Sequence, residues 1–195
     1  MEDNKRIYIS PGHGGGCGAR FGKINEDDIV LGVAQIIKYL LDKQGGYSTM
    51  LAREKDEQIP LQSRIRESKK FKADTFLDIH ANSHNDTSKR LDIFGFEAHI
   101  HDEKAVKDDA MFADRLLGAY SSEFALDPLM RNRGGKESNF YVLRKCPAKA
   151  NVLFELNFMT HPVVLEFMNS SLGQYRMAKG LFEGIKSYTN IKEKA

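Results

Sequence analysis

The sequence predicts a single α/β domain in which a central, mostly parallel mixed β-sheet is flanked by helices on both faces. Its 195 residues, 41% of them hydrophobic, suffice for one sizeable core. Short runs of β-branched and aromatic residues alternate along the chain with longer segments of helical periodicity, a pattern typical of strands joined by helices. No internal repeat and no Pro/Ser-rich linker divides the sequence.

The strands are predicted from short apolar runs bounded by turn residues. The first begins at Ile7 and ends where Pro11 and Gly12 interrupt the apolar run. The other predicted strands are residues 47–52, 74–81, 93–100, 140–144 and 151–158. The polar, glycine-containing stretch 127–139 is predicted to be a loop.

The helices are predicted from apolar residues that recur at three- and four-residue spacing. The first covers residues 26–44 and ends at two consecutive glycines. The other predicted helices are residues 60–72, 106–124, 162–168 and 174–188.

The charge balance argues against two classes of partner. Lys and Arg total 29 against 27 Asp and Glu, a net charge of +2, so neither nucleic-acid binding nor membrane insertion is expected.

No apolar signal-peptide core precedes the first strand, which predicts synthesis in the cytoplasm unless a leader has been removed. Cys17 and Cys146 do not form a CxxC pair, and we interpret them as free thiols in a reducing compartment.

Two histidines follow the ends of predicted strands. His13 lies in the glycine-rich loop after the first strand, and His80 ends the strand at residues 74–81. Glycines let such a loop approach a ligand closely, and open α/β sheets bind their ligands beyond the strand ends. One such histidine is more often an ordinary loop or core residue. Two of them on neighbouring strands would lie within reach of one metal ion.

Two glutamates admit more than one interpretation. Glu26 follows Asn25 and begins the first helix, a pattern that favours stabilisation of the helix N-terminus. A carboxylate in the first turn can also point back into the adjoining loop. Glu155 interrupts an apolar strand, where an unpaired carboxylate is costly to desolvate. It indicates a nearby cation or a role that needs a raised pKa, unless it faces water from an edge strand.

Two neutral imidazoles, one carboxylate and an open position for water are typical of a catalytic zinc site rather than of a closed structural one. Zinc-bound water has a pKa near ~7, and a separate glutamate can pass its proton to a leaving amine. Composition and spacing are compatible with such a site but do not establish it.

A set of motifs occurs in order along the chain. They are SPGHGG at residues 10–15, Glu26, IHAN at 79–82, GFE at 95–97, RG at 133–134, VLR at 142–144 and VLFELNFMTHP at 152–162. In this combination the sequence resembles the zinc-dependent N-acetylmuramoyl-L-alanine amidases of the amidase-3 family, which occur in bacterial autolysins and phage endolysins. The resemblance runs from Ile7 to about Tyr188.

The resemblance implies one zinc ion bound by His13, Glu26 and His80, with Glu155 as the catalytic acid/base. It thereby favours the metal-binding interpretation of Glu26 over the helix-stabilising one. It also implies a catalytic domain at residues 1–190, a short charged tail at 191–195 and no wall-binding domain in this chain. A wall-binding domain would then be separate or missing.

The implied reaction is hydrolysis of the amide between N-acetylmuramic acid and L-alanine in the stem peptide of bacterial peptidoglycan. One alternative is a zinc peptidase that acts within the stem peptide, and another is a catalytically silent peptidoglycan-binding module. The expected site of action is the cell wall. A phage lysin or a mother-cell hydrolase made in the cytoplasm would act there, as would an extracellular domain.

The sequence departs from the resemblance at a few positions. Ser10 stands where the family often has Asp, which we expect to alter a contact to the metal loop. Asn157 stands where glycine is frequent, which we expect to reshape the cleft wall. Cys17 has a spacing from His13 compatible with a zinc thiolate, but the family uses a carboxylate, so Cys17 is interpreted as a non-ligand. The remaining histidines are interpreted as solvated or capping residues: His84, His99, His101 and His161.

Overall fold

The computed structural model describes residues 4–103 and 107–193, and this part of the chain forms eight strands and six α-helices. The strands are β1 (Lys5–Pro11), β2 (Arg20–Phe21), β3 (Ile24–Asn25), β4 (Tyr47–Leu51), β5 (Thr75–Asn82), β6 (Phe96–His101), β7 (Asn132–Ser138) and β8 (Ala150–Phe158). The helices are α1 (Glu26–Gln44), α2 (Leu61–Phe71), α3 (Lys107–Glu123), α4 (Tyr141–Lys145), α5 (Pro162–Asn169) and α6 (Ser171–Glu193).

Six of the strands form one mixed sheet in the order β4–β1–β5–β8–β6–β7. Every neighbouring pair is parallel except β8 and β6, which run antiparallel. The short strands β2 and β3 form a separate hairpin. The predicted fold class, a single α/β domain with a mostly parallel mixed sheet, is therefore confirmed.

The two faces of the sheet are covered unequally. Helices α1, α3 and α6 pack together over one face, where residues such as Ile9, Leu77 and Phe154 belong to the main core. The shorter helices α2 and α4 cover the other face, with a smaller core in which Tyr8 stacks on Phe76 at 5.5 Å between ring centroids. Because side chains alternate along a strand, Asp78 and His80 of β5 and Glu155 of β8 share a face with Phe76 and Leu153 of this smaller core.

Two predictions within residues 127–144 are wrong. The predicted loop at 127–139 contains β7, an edge strand that pairs with β6 through its backbone while its polar side chains are mostly exposed. The predicted strand at 140–144 is the short helix α4. An edge strand needs no apolar alternation, and a helix of one turn is too short to show helical periodicity.

The other helices and the other strands of the six-stranded sheet lie where they were predicted, with small changes in their bounds, whereas the hairpin of β2 and β3 was not predicted. The largest change concerns α6, which spans Ser171–Glu193 and so extends into the segment predicted as a charged tail. Residues 194–195 of that segment, and Val106 at the start of the predicted helix 106–124, lie outside the described residues. None of the described helices is long and apolar enough to cross a membrane. Both cysteines are free, as predicted.

Candidate metal centre

Three side chains from separate elements converge beyond the carboxyl ends of β1 and β5. Parallel pairing of these strands places His13, in the loop after β1, beside His80 near the end of β5. Glu26 reaches both from the first turn of α1. Its Oε1 lies 3.2 Å from Nε2 of His13 and 3.1 Å from Nδ1 of His80. One donor atom from each residue lies within 4.8 Å of the other two.

The carboxylate of Glu26 is turned away from its own helix. Oε2 accepts the backbone N–H of Ala19 at 2.9 Å, and Oε1 accepts that of Ala81 at 3.1 Å. Burial opposes the charge of this side chain, which is only 5% exposed. Hydrogen bonds with His13 and His80 outweigh burial and hold the pKa of Glu26 well below its ordinary value. Glu26 is therefore an ionised carboxylate in a nearly dry position.

A second carboxylate orients His80. Oδ2 of Asp78, two residues earlier on the same face of β5, lies 3.4 Å from Nε2 of His80, which leaves Nδ1 facing Glu26. A carboxylate in this position fixes the tautomer and the orientation of an imidazole ring. Gly12 is required for this packing, because a Cβ there would lie 2.4 Å from Cε1 of His80.

The loop that follows β1 is held in an unusual backbone conformation. His13 has φ 54°, in the left-handed region that residues with a Cβ seldom adopt. Nearby N–H groups are fixed by carboxylates. Gly15 donates to Asp56 at 2.6 Å, and Gly16 donates to Asp27 at 2.9 Å. The direction of the His13 side chain is thus set by a tightly bonded loop.

Glu155 lies directly beside His80 in the register of β5 and β8. Because β8 is flanked by β5 and β6, the alternative of a water-facing glutamate on an edge strand is wrong. Within the described residues, its buried Oε2 has no hydrogen-bond partner. Burial raises the pKa of Glu155 to about 7, against the charge of His80 and with the help of Glu26 and Glu97. Such a carboxyl group is suited to exchange protons with a ligand.

Glu97 is a second buried carboxylate on the same face, opposite Glu155 in the antiparallel pairing of β6 and β8. It lies 3.3 Å from Nε2 of His99 and accepts a hydrogen bond from Nε of Arg133 at 2.8 Å. These hydrogen bonds, opposed by burial, hold the pKa of Glu97 at about 2. The neighbouring carboxyl groups of Glu97 and Glu155 therefore have opposite pKa shifts.

A cavity of about 450 Å³ opens over these groups on the face of the sheet that α2 and α4 cover. His13, His80, Asp78 and Glu155 line it, together with apolar residues of α2, α4 and the segments before them. Cys17 also lines the cavity, but the cluster of close donor atoms found among the described residues does not include it.

The donor set fits zinc. Two imidazole nitrogens and one carboxylate oxygen are the ligands found in catalytic zinc sites, with a fourth position left for water or substrate. Ligand atoms about 2.0–2.1 Å from a tetrahedral zinc ion lie about 3.3 Å from one another. The separations of 3.1 and 3.2 Å from Glu26 to the two histidines are close to that value.

The structure brings all four predicted site residues together, since His13, His80 and Glu155 line one cavity and Glu26 contacts both histidines, whereas several other expectations need revision. Asn157 does not reshape the cleft wall, because it is fully buried and bonds the backbone of Gly95 and Leu129. His99 is buried rather than solvated, and His101 is buried too, although it accepts the backbone N–H of Glu103 at 3.0 Å as a capping histidine would.

Other expectations agree with the structure. His161 caps α5 by accepting the N–H of Val164, as a capping histidine should. His84 is partly exposed and accepts the N–H of Asp86 at 3.0 Å. Ser10 accepts a hydrogen bond from Arg64, which also contacts the carbonyl of His13, so this position does touch the metal loop.

Sequence reasoning assigned no role to Asp78, Glu97, Arg53 or Arg64, although all four surround the site. The alternation of Asp78 with His80 on one strand face was a usable signal, and so was Glu97 between two apolar residues. The two arginines lie in polar segments, where the sequence gives no indication that one charged residue is buried and its neighbours are exposed.

The comparisons with known proteins agree with the geometry. The family described as N-acetylmuramoyl-L-alanine amidase, amidase-3, matches residues 7–187. A sporulation-specific N-acetylmuramoyl-L-alanine amidase of Bacillus subtilis strain 168 is 28% identical over 190 residues, covering 96% of this chain and 69% of that protein. An uncharacterized cell wall amidase of Bacillus anthracis is 29% identical over 198 residues. That match covers 97% of this chain but 36% of the relative, so the chain spans about a third of its length.

Solved structures show the same fold. An N-acetylmuramoyl-L-alanine amidase from Clostridium difficile 630 superposes with a TM-score of 0.88 at 27% identity, covering 98% of this chain and 100% of that one. The amidase AmiC2 of Nostoc punctiforme gives a TM-score of 0.84 at 26% identity, covering 95% and 97%. With the family match extending over most of its length, the chain belongs to the amidase-3 family of N-acetylmuramoyl-L-alanine amidases.

Proposed function

We propose that this protein is a zinc-dependent peptidoglycan hydrolase that cleaves the amide between N-acetylmuramic acid and L-alanine of the stem peptide. The proposal depends on one observation above all. His13, Glu26 and His80 converge on one point, and the unpaired carboxyl oxygen of Glu155 belongs to the same site. Membership of a family named for this reaction supports the choice of bond.

Zinc would be held by His13, Glu26 and His80, whose donor atoms already face one another. When bound, zinc supplies Lewis-acid catalysis, because it polarises a carbonyl group and lowers the pKa of water. With zinc bound, Asp78 would accept the proton on Nε2 of His80, and Nδ1 would give up its proton so that its lone pair could bind the metal.

Glu155 would transfer the proton. Its carboxylate accepts a proton from the attacking water, and the resulting acid donates a proton to the departing amine nitrogen, which returns Glu155 to its starting form. Burial, which raises its pKa to about 7, makes both protonation states accessible near neutral pH. Glu97, with its pKa held at about 2, stays ionised and takes no part in this exchange.

The substrate would enter from the face of the sheet that the short helices α2 and α4 cover. Leu61 and Phe140 are exposed apolar residues that line the cavity on this face, and they would contact the lactyl and alanyl methyl groups of a muramyl peptide. We propose residues 1–190 as the catalytic domain and the cell wall as the place of action.

The bond is tested by digesting purified peptidoglycan, labelling the new amino termini and identifying each labelled residue and its chirality after hydrolysis. Labelled L-alanine with intact glycan strands is expected. Labelled D-alanine, diaminopimelate or glutamate without L-alanine would instead show a peptidase, and new reducing sugar ends a glycosidase. Binding without any product would show a silent wall-binding module.

The metal is tested separately by measuring zinc in purified protein. The wild type should hold one equivalent and His80→Ala should lose it together with activity, because two remaining ligands hold zinc poorly. His84→Ala is the matched control, since His84 lies outside the donor cluster. A wild type without stoichiometric metal, or a His80→Ala variant with a full complement, would refute the assignment.

A further inference from the structure

We infer that Arg53 and Arg64 are positioning residues, whose guanidinium groups hold the backbone carrying His13 and tie it to the backbone carrying Glu26. The inference rests on the proposed function, because it treats His13 and Glu26 as metal ligands. Both arginines are 2% exposed and are among the largest fully buried side chains of the described chain.

Arg64 projects from α2 to the end of β1, where its guanidinium group donates hydrogen bonds to residues on both sides of Gly12. Its Nη1 donates to Oγ of Ser10 at 2.8 Å and to the carbonyl of Pro11 at 2.6 Å. Its Nη2 donates to the carbonyl of His13 at 2.6 Å. One planar group therefore fixes the peptide plane before Gly12 and the peptide plane after His13, and with them the point from which the His13 side chain departs.

Arg53, which lies beyond β4, connects this loop to α1. Its Nη2 donates to the carbonyl of Gly12 at 2.8 Å and to that of Asp27 at 2.7 Å. Its Nε donates to the carbonyl of Pro11 at 3.2 Å. Asp27 directly follows Glu26, so one nitrogen atom bridges the backbone next to one proposed ligand and the backbone next to another.

Among the described residues, both guanidinium groups donate to neutral oxygens, and neither forms an ion pair with a carboxylate. Burial lowers the pKa of each arginine, and in Arg53 the charge of Arg64 lowers it further. Nearby carboxylates, Asp78 for Arg64 and Asp27 for Arg53, offset part of this cost, but two buried cations without a carboxylate in direct contact remain expensive for the fold. Their contribution is to fix the backbone: together they hold the three successive carbonyls of Pro11, Gly12 and His13, and His13 itself has φ 54°.

Arginine is required for this role because its guanidinium group is a planar fork with five donors. Lysine keeps the charge, but its ammonium group cannot reach acceptors on two segments with the same fixed geometry. An Arg→Lys substitution therefore separates the positioning contribution from the charge.

The experiment compares metal-free wild type with Arg53→Lys, Arg64→Lys and Arg66→Lys. Each protein is titrated with Zn²⁺ against a competing chromophoric chelator, and the visible spectrum of its Co²⁺ form reports the coordination geometry. Arg66 is the matched control. It lies on the same helix as Arg64, but it is exposed, and its polar contacts among the described residues are with Ser63 and Glu67.

We expect zinc affinity to fall by about 10–100-fold in Arg53→Lys and in Arg64→Lys, the effect typical of residues that orient metal ligands. The Co²⁺ spectrum should change in both, and Arg66→Lys should match the wild type in affinity and spectrum. Unchanged affinity and spectrum in the two folded variants would overturn the inference. So would their failure to fold in saturating zinc, since the arginines would then support the whole fold. A wild type that binds no zinc would refute the proposed function itself.

Discussion

Replacing Glu155 with glutamine should stabilise the metal-free protein at neutral pH and above while abolishing most of its proposed activity. Glutamine keeps the shape of the side chain but cannot ionise. In the wild type, burial raises the pKa of Glu155 from 4.5 to about 7. The folded protein therefore holds this proton more tightly than the unfolded chain, and ionisation of Glu155 opposes folding.

The sign and size of the effect follow from this difference. As pH rises from about 4.5 through about 7, the unfolded chain gives up the proton first, so the free energy of unfolding of the wild type decreases. A pKa difference of this size corresponds to about 3 kcal/mol at about pH 8 and to less than about 1 kcal/mol at about pH 5. Glu155→Gln removes this pH dependence, so the contribution of the missing ionisation to its stability should grow from less than about 1 kcal/mol at about pH 5 to about 3 kcal/mol at about pH 8.

Urea unfolding of the metal-free wild type and variant, at both pH values, measures how this contribution changes with pH. Glu166→Gln, a change at an exposed glutamate of α5, controls for the loss of one carboxylate. In the zinc-loaded proteins, turnover on peptidoglycan should fall by a factor on the order of 10²–10⁴ in Glu155→Gln with zinc content unchanged. Parallel stability curves for wild type and variant would refute the account of the buried carboxyl, and near-wild-type turnover would refute its catalytic role.

Three further substitutions test the walls of the site. Glu26→Gln should lower zinc content but leave the helical circular dichroism signal intact, because its carboxylate faces the histidines rather than its own helix; lost helicity with normal zinc would contradict this. Gly12→Ala should displace the imidazole of His80, since the new Cβ would lie 2.4 Å from Cε1, and full zinc content in that variant would rule out the close contact. Cys17→Ser should retain full zinc content and wall lysis; loss of zinc would make Cys17 a ligand.

The parts of the site that sequence could predict are those with strong local signals. His13 and His80 end apolar strands and Glu155 interrupts one, so their types and positions were informative without knowledge of the fold. Glu26 was ambiguous on its own, because a carboxylate at a helix N-terminus has a sufficient local explanation. The distances from its Oε1 to His13 and His80 show that its side chain contacts these two histidines rather than the N-terminus of its own helix.

The parts that sequence could not predict depend on contacts between distant segments. Arg53 and Arg64 become buried only when the chain beyond β4 and helix α2 pack against the end of β1. Strand β7 was missed because its polar side chains carry no alternation and its pairing with β6 is a property of the backbone. Helix α4 was mistaken for a strand because five residues with aromatic and β-branched members satisfy strand preferences equally well.

The position of β8 has a consequence for the order of folding. It is the last strand of the sheet along the chain, yet it lies between β5 and β6. Without β8 the strand order leaves two unconnected pieces, β4–β1–β5 and β6–β7, and unpaired strand edges of this kind are prone to wrong pairing. His13, Glu26 and His80 belong to segments that precede Ser83, whereas Glu155 arrives with β8 itself. Under the roles proposed above, the three metal-binding residues are synthesised before the proton-transfer residue, and hydrolysis would require β8 to be in place in the sheet.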